Sequence, residues 1–127
     1  MIKILILSQG PLAQELLGAA QTIVGKELAI GAVSLGWGDS FEEARRKARG
    51  AIRELDADDG LLILTDIYGG TPYNVATSFR RPGKVEVVTG VNLPMVVRLG
   101  CHGASDMALP QLADWIQKKG QGSICRA

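Results

Sequence analysis

Short apolar segments alternate with amphipathic segments along the whole chain. Four of the apolar segments predict strands, over Ile2 to Leu7, Leu28 to Leu35, Leu61 to Asp66 and Val85 to Thr89. The first of them is nearly continuous in apolar residues, as expected of a strand that is covered on both faces.

Apolar residues at helical spacing predict helices between and after these strands. The first helix extends from Pro11 to Gly25, and the second follows Ser40 and runs to about Leu55. Ser40 with Glu43 three residues later has the form of a capping box. Start and stop signals indicate three more helices: one opened by Gly69-Gly70-Thr71-Pro72 and ended by Pro82-Gly83, one starting at Asn92-Leu93-Pro94, and one over about Ala104 to Lys119.

This alternation of strands and helices is typical of a parallel sheet with helices on both faces. We therefore predict an α/β fold with a doubly wound, mostly parallel four-stranded sheet. The length of 127 residues, without a visible linker or repeat, indicates a single domain over residues 1–127. A short apolar tail around Ile124 follows the last helix.

Composition excludes several classes of function. The net charge of +1 and the absence of a basic segment with interleaved aromatic residues argue against nucleic-acid binding. No apolar run approaches the roughly 20 residues that a bilayer requires, and no secretory signal is visible. Cys101 and Cys125 have no metal-ligand spacing, so we expect no metal, no cofactor and a reducing cytoplasm.

The loops after strands one and three are the candidate site, because ligands of such sheets bind at the carboxyl ends of the strands. Ser8-Gln9-Gly10-Pro11 and Asp66 to Pro72 both lead into helix N-termini, which favour anions. We expect the amides of Gly10, Gly69 and Gly70 to face an oxyanion, and Thr71 to cap the helix or bind that anion. Thr89 to Pro94 is a third loop at this edge. The alternative is that these are ordinary loops and that Asp66 caps a turn.

At these residues the sequence resembles the enzyme IIA domain of the mannose family of the bacterial phosphoenolpyruvate:sugar phosphotransferase system (PTS). Five segments carry the resemblance, which covers nearly the whole chain: Ile4-Leu5-Ile6-Leu7-Ser8-x-Gly10, Gly38-Asp39-Ser40, Asp59-Gly60 through Leu64-x-Asp66, Gly69-Gly70-Thr71-Pro72-x-Asn74 and Gly90-Val91-Asn92-Leu93-Pro94-Met95.

The resemblance implies a cytoplasmic phosphocarrier, a transferase that acts in sugar uptake. It would take a phosphoryl group from HPr onto a histidine and pass it to a IIB domain, which phosphorylates sugar entering through the membrane components IIC and IID. The resemblance also implies a homodimer that exchanges a C-terminal strand. In this chain we expect Gly122 to Cys125 to form that strand, antiparallel on the partner.

Position 9 departs from the family pattern. The phosphoacceptor histidine of the family follows strand one, where this chain has Gln9. An imidazole nitrogen is a good nucleophile, whereas a carboxamide is not at neutral pH. We therefore predict that the chain with Gln9 transfers no phosphoryl group. We also expect the side-chain NH2 of Gln9 to donate a hydrogen bond to Asp66. Asp66 would orient an imidazole rather than accept a phosphoryl group. Two origins of Gln9 stay open, an engineered substitution and a natural loss of the acceptor.

Other chemistry finds less support. His102 is the only histidine and is interpreted as a solvated loop residue, with phosphoacceptor as the alternative. Aspartate phosphorylation at Asp66 would need further acidic residues after strand one to hold Mg²⁺, and a flavin site would need a hydroxyl-rich loop there. Trp37 and Tyr68 flank the site, either as a partner-binding ring or as loop anchors.

Three functions are therefore compared. The first is a phosphotransfer domain with a changed acceptor. The second is a regulatory or binding module that docks PTS partners without being phosphorylated. The third is a general binder of small anions or nucleotides.

Overall fold

Four strands and five helices make up the computed structural model, which describes residues 1–102 and 106–127. The strands are β1 (Lys3–Gln9), β2 (Ile30–Leu35), β3 (Leu61–Thr65) and β4 (Val85–Val88). The helices are α1 (Leu12–Val24), α2 (Phe41–Leu55), α3 (Thr71–Ser78), α4 (Leu93–His102) and α5 (Leu109–Gly122). The predicted alternation of strands and helices is confirmed, and each strand lies within about two residues of its predicted bounds.

The sheet has the order β2-β1-β3-β4, and all of its strand pairs are parallel. Both neighbours of β1 are aligned with it residue by residue: Leu7 lies beside Val33 of β2 and beside Thr65 of β3. The predicted α/β class with a doubly wound parallel sheet is confirmed. Because β1 is central, the loop that follows it lies between the ends of β2 and β3.

Helices cover both faces of the sheet and enclose two cores. Ile4 and Ile6 of β1 pack into one core with residues of α1, α4 and α5, and Leu5 and Leu7 pack into the other with α2 and α3. Successive residues of a strand point to opposite faces, so a strand between two cores is apolar at nearly every position. This explains the continuous apolar run at the start of the chain.

Local capping sets the starts of α1 and α2. The Ser40 hydroxyl accepts a hydrogen bond from the Glu43 N–H at 3.1 Å, and the Glu43 carboxylate accepts one from the Ser40 N–H at 3.4 Å, so the predicted capping box is confirmed. Pro11 precedes the first helical residue rather than being it. The start of α1 is capped instead by buried Ser8, whose Oγ accepts from the Ala13 N–H at 2.7 Å.

The last helix differs from its predicted range. It begins at Leu109 rather than near Ala104, which lies outside the described residues, and it continues past Lys119 to Gly122. Pro110 sits in its first turn, where a missing N–H leaves no helical hydrogen bond unmade. A proline is tolerated there but not farther inside a helix, which accounts for the late start.

The tail after α5 forms no strand within the chain. Gly122, expected in the tail strand, is the last residue of α5, and Ser123 donates its Oγ–H to the Gly120 carbonyl oxygen at 2.6 Å. The side chain of Asn92 also donates to the Gly120 oxygen, at 3.2 Å, which joins the start of α4 to the end of α5. Pairing of the tail on a second copy stays a prediction.

None of the helices within the described ranges combines the length and the apolar character needed to span a membrane.

Candidate functional site

Three loops meet at the carboxyl edge of the sheet, as the strand order requires. The Gly90 N–H donates to the Asp66 carbonyl oxygen at 3.1 Å, and the Val91 N–H donates to the Thr65 oxygen at 3.0 Å. The loop after β4 is thereby joined to the loop after β3. The loop after β1 lies beside them because β1 is the other neighbour of β3.

The Asp66 carboxylate accepts hydrogen bonds from the backbone at two places, the end of β1 and the loop after β3. Its Oδ2 accepts from the Gln9 N–H at 2.9 Å, and its Oδ1 accepts from the Ile67 N–H at 2.8 Å. The structure therefore brings Gln9 and Asp66 together, as predicted from the strand ends. The contact involves the peptide group of residue 9 rather than its side chain.

The Gln9 side chain points towards β2, away from Asp66. Its Nε2 donates to the Gly36 carbonyl oxygen at 2.7 Å and to the Leu35 oxygen at 3.3 Å. The expected donation from the amide to Asp66 is not what the structure shows. Gln9 lies in register with Leu35 at the end of β2, where the chain leaves the sheet and presents carbonyl oxygens at hydrogen-bonding distance.

Gly10 is a tight backbone position beneath an indole ring. Its φ is +66°, and a Cβ built there would lie 3.2 Å from Nε1 of Trp37. Its N–H donates to the Leu35 carbonyl oxygen at 2.8 Å. The Gly10 N–H is therefore already used in a hydrogen bond and does not face an oxyanion as predicted. In this structure Gly10 forms the turn after β1.

The start of α3 keeps the features of an anion site. Gly69 has a φ of +84°, and Gly70 precedes the first helical residue, Thr71. Among residues 1–102 and 106–127, no side chain caps this helix, so of the two roles predicted for the Thr71 hydroxyl, capping is not observed. The uncapped N–H groups and the positive end of α3 leave this loop as the part of the edge that suits a phosphoryl group.

Asp39 holds the loop that binds the Gln9 amide. Its Oδ2 accepts from the Gly36 N–H at 2.8 Å and from Nζ of Lys47 at 2.7 Å. These two partners, Lys47 first, lower the pKa of Asp39 below its ordinary value. The sequence analysis named Asp39 only within Gly38-Asp39-Ser40 and assigned it no role. Its partner Lys47 lies eight residues later, inside α2, and no local pattern connects the two.

An exposed apolar rim lies on the loops and helix starts at this edge of the sheet. Trp37 and Tyr68, both named from the sequence, are 81% and 77% exposed. Three further exposed apolar side chains belong to the same loops and helix starts and were not singled out from the sequence: Leu12, Phe41 and Ile67. We call these five residues the apolar rim. Exposed apolar side chains grouped around a site are typical of a protein-binding surface.

Tyr68 also contacts Tyr73, with ring centroids 4.7 Å apart. A hydrogen bond with Tyr68 raises the pKa of Tyr73 above its ordinary value. Both rings line a cleft of about 440 Å³ that extends along β4 to α5 and reaches Ile124. This cleft borders the unpaired edge of β4, which the strand order leaves at the end of the sheet.

His102 lies far from this edge. It is the last residue of α4 rather than a loop residue, and its ring stacks on Trp115 with centroids 4.6 Å apart. Helix α4 begins at the carboxyl edge, and its end packs near Met1 and Ile2 at the start of β1. His102 therefore lies towards the opposite edge of the sheet from Gln9.

Sequence comparison relates the chain to a known family. Residues 3–117 match the family model described as EIIA-man, PTS system fructose IIA component. The chain is 33% identical over 97 residues to the PTS system mannose-specific EIIAB component of Escherichia coli K12. The aligned segment covers 76% of this chain and 30% of that protein. It is 31% identical over 100 residues to the PTS system fructose-specific EIIA component of Bacillus subtilis 168, covering 78% of this chain and 68% of that protein. The chain thus spans under a third of the EIIAB relative.

Solved structures give the same result for the fold. The mannose/sorbose-specific IIA subunit of Enterococcus faecalis superposes with a TM-score of 0.85 at 31% identity, covering 98% of this chain and 93% of that one. A PTS IIA protein associated with the fucose utilization operon of Streptococcus pneumoniae superposes with a TM-score of 0.84 at 29% identity, covering 98% and 92%.

Proposed function

The chain belongs to the mannose/fructose family of PTS enzyme IIA components, and from this premise we propose that it docks PTS partners but accepts no phosphoryl group in its present form. The observation that carries this proposal is the amide at position 9. Gln9 occupies the end of β1, where the resemblance puts the histidine that is phosphorylated. Its Nε2 is held by two carbonyl oxygens of the loop after β2.

An amide in this position lacks the chemistry of phosphoryl transfer. A histidine acceptor attacks through a ring nitrogen with an available lone pair, whereas the lone pair of an amide nitrogen is delocalised into its carbonyl group. The Gln9 amide nitrogen is also engaged as a donor. The edge thus retains a helix start at Thr71 that suits an anion but has no imidazole at position 9.

The docking part of the proposal is supported by the apolar rim. Trp37, Tyr68 and Ile67 expose most of their surface, and they lie on loops at the same edge of the sheet as Gln9. Such side chains stabilise a protein complex when a partner covers them. By the resemblance, the partners are HPr and a IIB domain, with IIC and IID associated indirectly at the membrane. We also propose a cytoplasmic homodimer in which the tail around Ile124 covers the β4 edge of the partner.

A phosphotransfer assay tests the chemical part. Labelled phosphate is passed from phosphoenolpyruvate through the general PTS proteins to three forms of the chain: unchanged, Gln9→His, and Glu54→His. The last is a control for a histidine elsewhere on the surface, since Glu54 is exposed near the end of α2. We expect labelling of the Gln9→His form alone. Loss of a nucleophile costs several powers of ten in rate, so the contrast should be close to all-or-none.

Two outcomes would change this interpretation. Labelling of the unchanged chain at the rate of the Gln9→His form would contradict the proposal, and loss of that label in a His102→Asn variant would identify His102 as the acceptor. If neither the unchanged nor the Gln9→His form is labelled, the scaffold itself is not competent for transfer. The second function compared above, a regulatory or binding module, would then be favoured.

A binding experiment tests the docking part separately. Trp37→Ala and Tyr68→Ala should each weaken binding of unphosphorylated HPr by about tenfold or more, measured by calorimetry, because buried aromatic anchors dominate such interfaces. Ile23→Ala is the control, since Ile23 is an exposed apolar residue of α1 outside the rim. Equal affinity in all four proteins would show that HPr does not bind at the apolar rim.

A further inference from the structure

The cleft between α2 and α3 brings two arginines together at the edge of the sheet opposite to Gln9. Arg45 of α2 and Arg81, which follows α3, both line this cavity of about 330 Å³. Leu61 and Val85 line it as well, and they are the first residues of β3 and β4. The cleft therefore lies at the amino ends of the strands and is separate from the candidate site at their carboxyl ends.

The Arg45 guanidinium is held in one orientation. Its Nε donates to Oγ of Ser78 at 2.9 Å, and the Ser78 hydroxyl donates in turn to the Val75 carbonyl oxygen at 2.6 Å. The guanidinium carbon lies 4.2 Å from the centre of the Phe79 ring. These contacts use Nε and one flat face and leave the terminal nitrogens of the fork for another partner. A guanidinium fixed before binding loses less entropy when a ligand arrives.

The second arginine is anchored through its backbone. The Arg81 N–H donates to the Val85 carbonyl oxygen at 3.1 Å, and the Arg81 oxygen accepts from the Val85 N–H at 2.8 Å. The turn between them contains Gly83 with a φ of +76°. The backbone of Arg81 is thereby fixed to the start of β4, which borders the cleft.

Arg45 and Arg81 both line the cleft, and across residues 1–102 and 106–127 neither has a carboxylate partner, whereas neighbouring Arg80 lies 3.6 Å from Glu86. Among those residues, no carboxylate lines the cleft. Two cationic side chains that border one cavity raise the positive potential there, which favours the binding of an anion.

We propose that this cleft binds a small phosphate monoester. A phosphoryl group carries close to two negative charges at neutral pH, which two guanidinium groups match, whereas a carboxylate carries one. Ile52, Leu61 and Val85 add an apolar floor, which fits an organic group attached to the phosphate and gives free inorganic phosphate no advantage. The proposal is independent of the residue at position 9.

The test is an NMR titration of the full chain with three probes: butyl phosphate, 1-butanol and inorganic phosphate. We expect saturable shifts with butyl phosphate at the amides of residues 78–85 and around Arg45. We expect no such shifts with 1-butanol and affinity several-fold weaker with inorganic phosphate. The shifts should weaken as salt is added, because the contacts are ionic.

Variants connect the shifts to the two arginines. Arg45→Gln and Arg81→Gln should each weaken butyl phosphate binding by about tenfold or more, since each removes charge-assisted hydrogen bonds. Arg46→Gln is the matched control, because Arg46 is exposed on the next position of α2 and lies outside the cleft. If Arg45→Gln does not fold, Ser78→Ala removes the support of Nε and should weaken binding less strongly.

Three results would overturn the proposal. They are unchanged affinity in both glutamine variants, no saturable shift up to about 10 mM butyl phosphate, and shifts confined to residues 69–71 at the opposite edge. The last of these would assign phosphate binding to the start of α3 instead.

Discussion

The peptide N–H of Gln9 donates to Oδ2 of Asp66 at 2.9 Å, while the side chain of Gln9 bonds to the loop after β2. The carboxylate is therefore bound to the backbone at position 9, whatever side chain stands there. Its second oxygen accepts from the Ile67 N–H. In this structure Asp66 ties the ends of β1 and β3 together, and its role in orienting an imidazole stays a prediction.

Replacing Asp66 should loosen this edge of the sheet. We expect Asp66→Ala to lower the free energy of unfolding by about 2 kcal/mol, because two backbone N–H groups lose a charged acceptor. Urea unfolding measures the loss, with Asp58→Ala as the control for an exposed aspartate. A change no larger than that of Asp58→Ala would show that the two bonds add little stability. A hydroxylamine-labile phosphate on Asp66 would show that it is an acceptor after all.

The Asp39–Lys47 pair should make stability depend on acid pH. The pKa of Asp39 is lowered in the folded chain, so its stabilising contribution is present above the ordinary pKa of an unfolded aspartate, near 4. That contribution is lost as the pH falls through the lower, folded value. We therefore expect Asp39→Asn to be less stable than the unchanged chain at pH 7 and nearly equal to it at about pH 2. Urea midpoints at the two pH values measure this, and a constant difference would exclude the linkage.

Two glycines should respond to alanine in opposite ways. Gly10→Ala places a Cβ at a φ of +66° and 3.2 Å from Trp37, so we expect a loss of about 1–2 kcal/mol. Gly18 lies inside α1 with nothing within 4 Å of a built Cβ, so Gly18→Ala should add about 0.5–1 kcal/mol. Thermal or urea unfolding of the two variants compares them directly. Equal effects would show that the backbone at Gly10 relaxes without cost.

The C-terminal tail should hold the proposed dimer together. Ile124 lines the cleft beside β4, and the tail after it forms no strand within its own chain. We expect deletion of the residues after Gly120 to weaken dimerisation in sedimentation velocity. A second chain that ends at Ser123 lacks only the tail and keeps the hydrogen bonds of Asn92 and Ser123 at the end of α5. It separates loss of the tail from damage to the end of the helix. If tail exchange forms the dimer, both truncated chains dissociate, and an unchanged dimer for both would exclude this arrangement.

Local signals were enough to predict the elements and their order. The alternation of Ile4, Leu5, Ile6 and Leu7 between two cores produces an uninterrupted apolar run, which is visible without any structure. The capping box at Ser40 is equally local, since its partner lies three residues away. Strand order and the preference of ligands for carboxyl edges then bring Gln9 and Asp66 to one place.

The direction of each side chain at that edge depended on partners that are distant in sequence. The Gln9 amide bonds to carbonyl oxygens more than 25 residues away, and no sequence pattern ranks these above the Asp66 carboxylate. Arg45 and Ser78 meet in the same way across α2 and α3. Short-range signals determine where helices and strands form, because they act through backbone geometry within a few residues. Hydrogen bonds between elements are decided by tertiary packing, because packing alone sets which acceptor lies within 3 Å of a given donor.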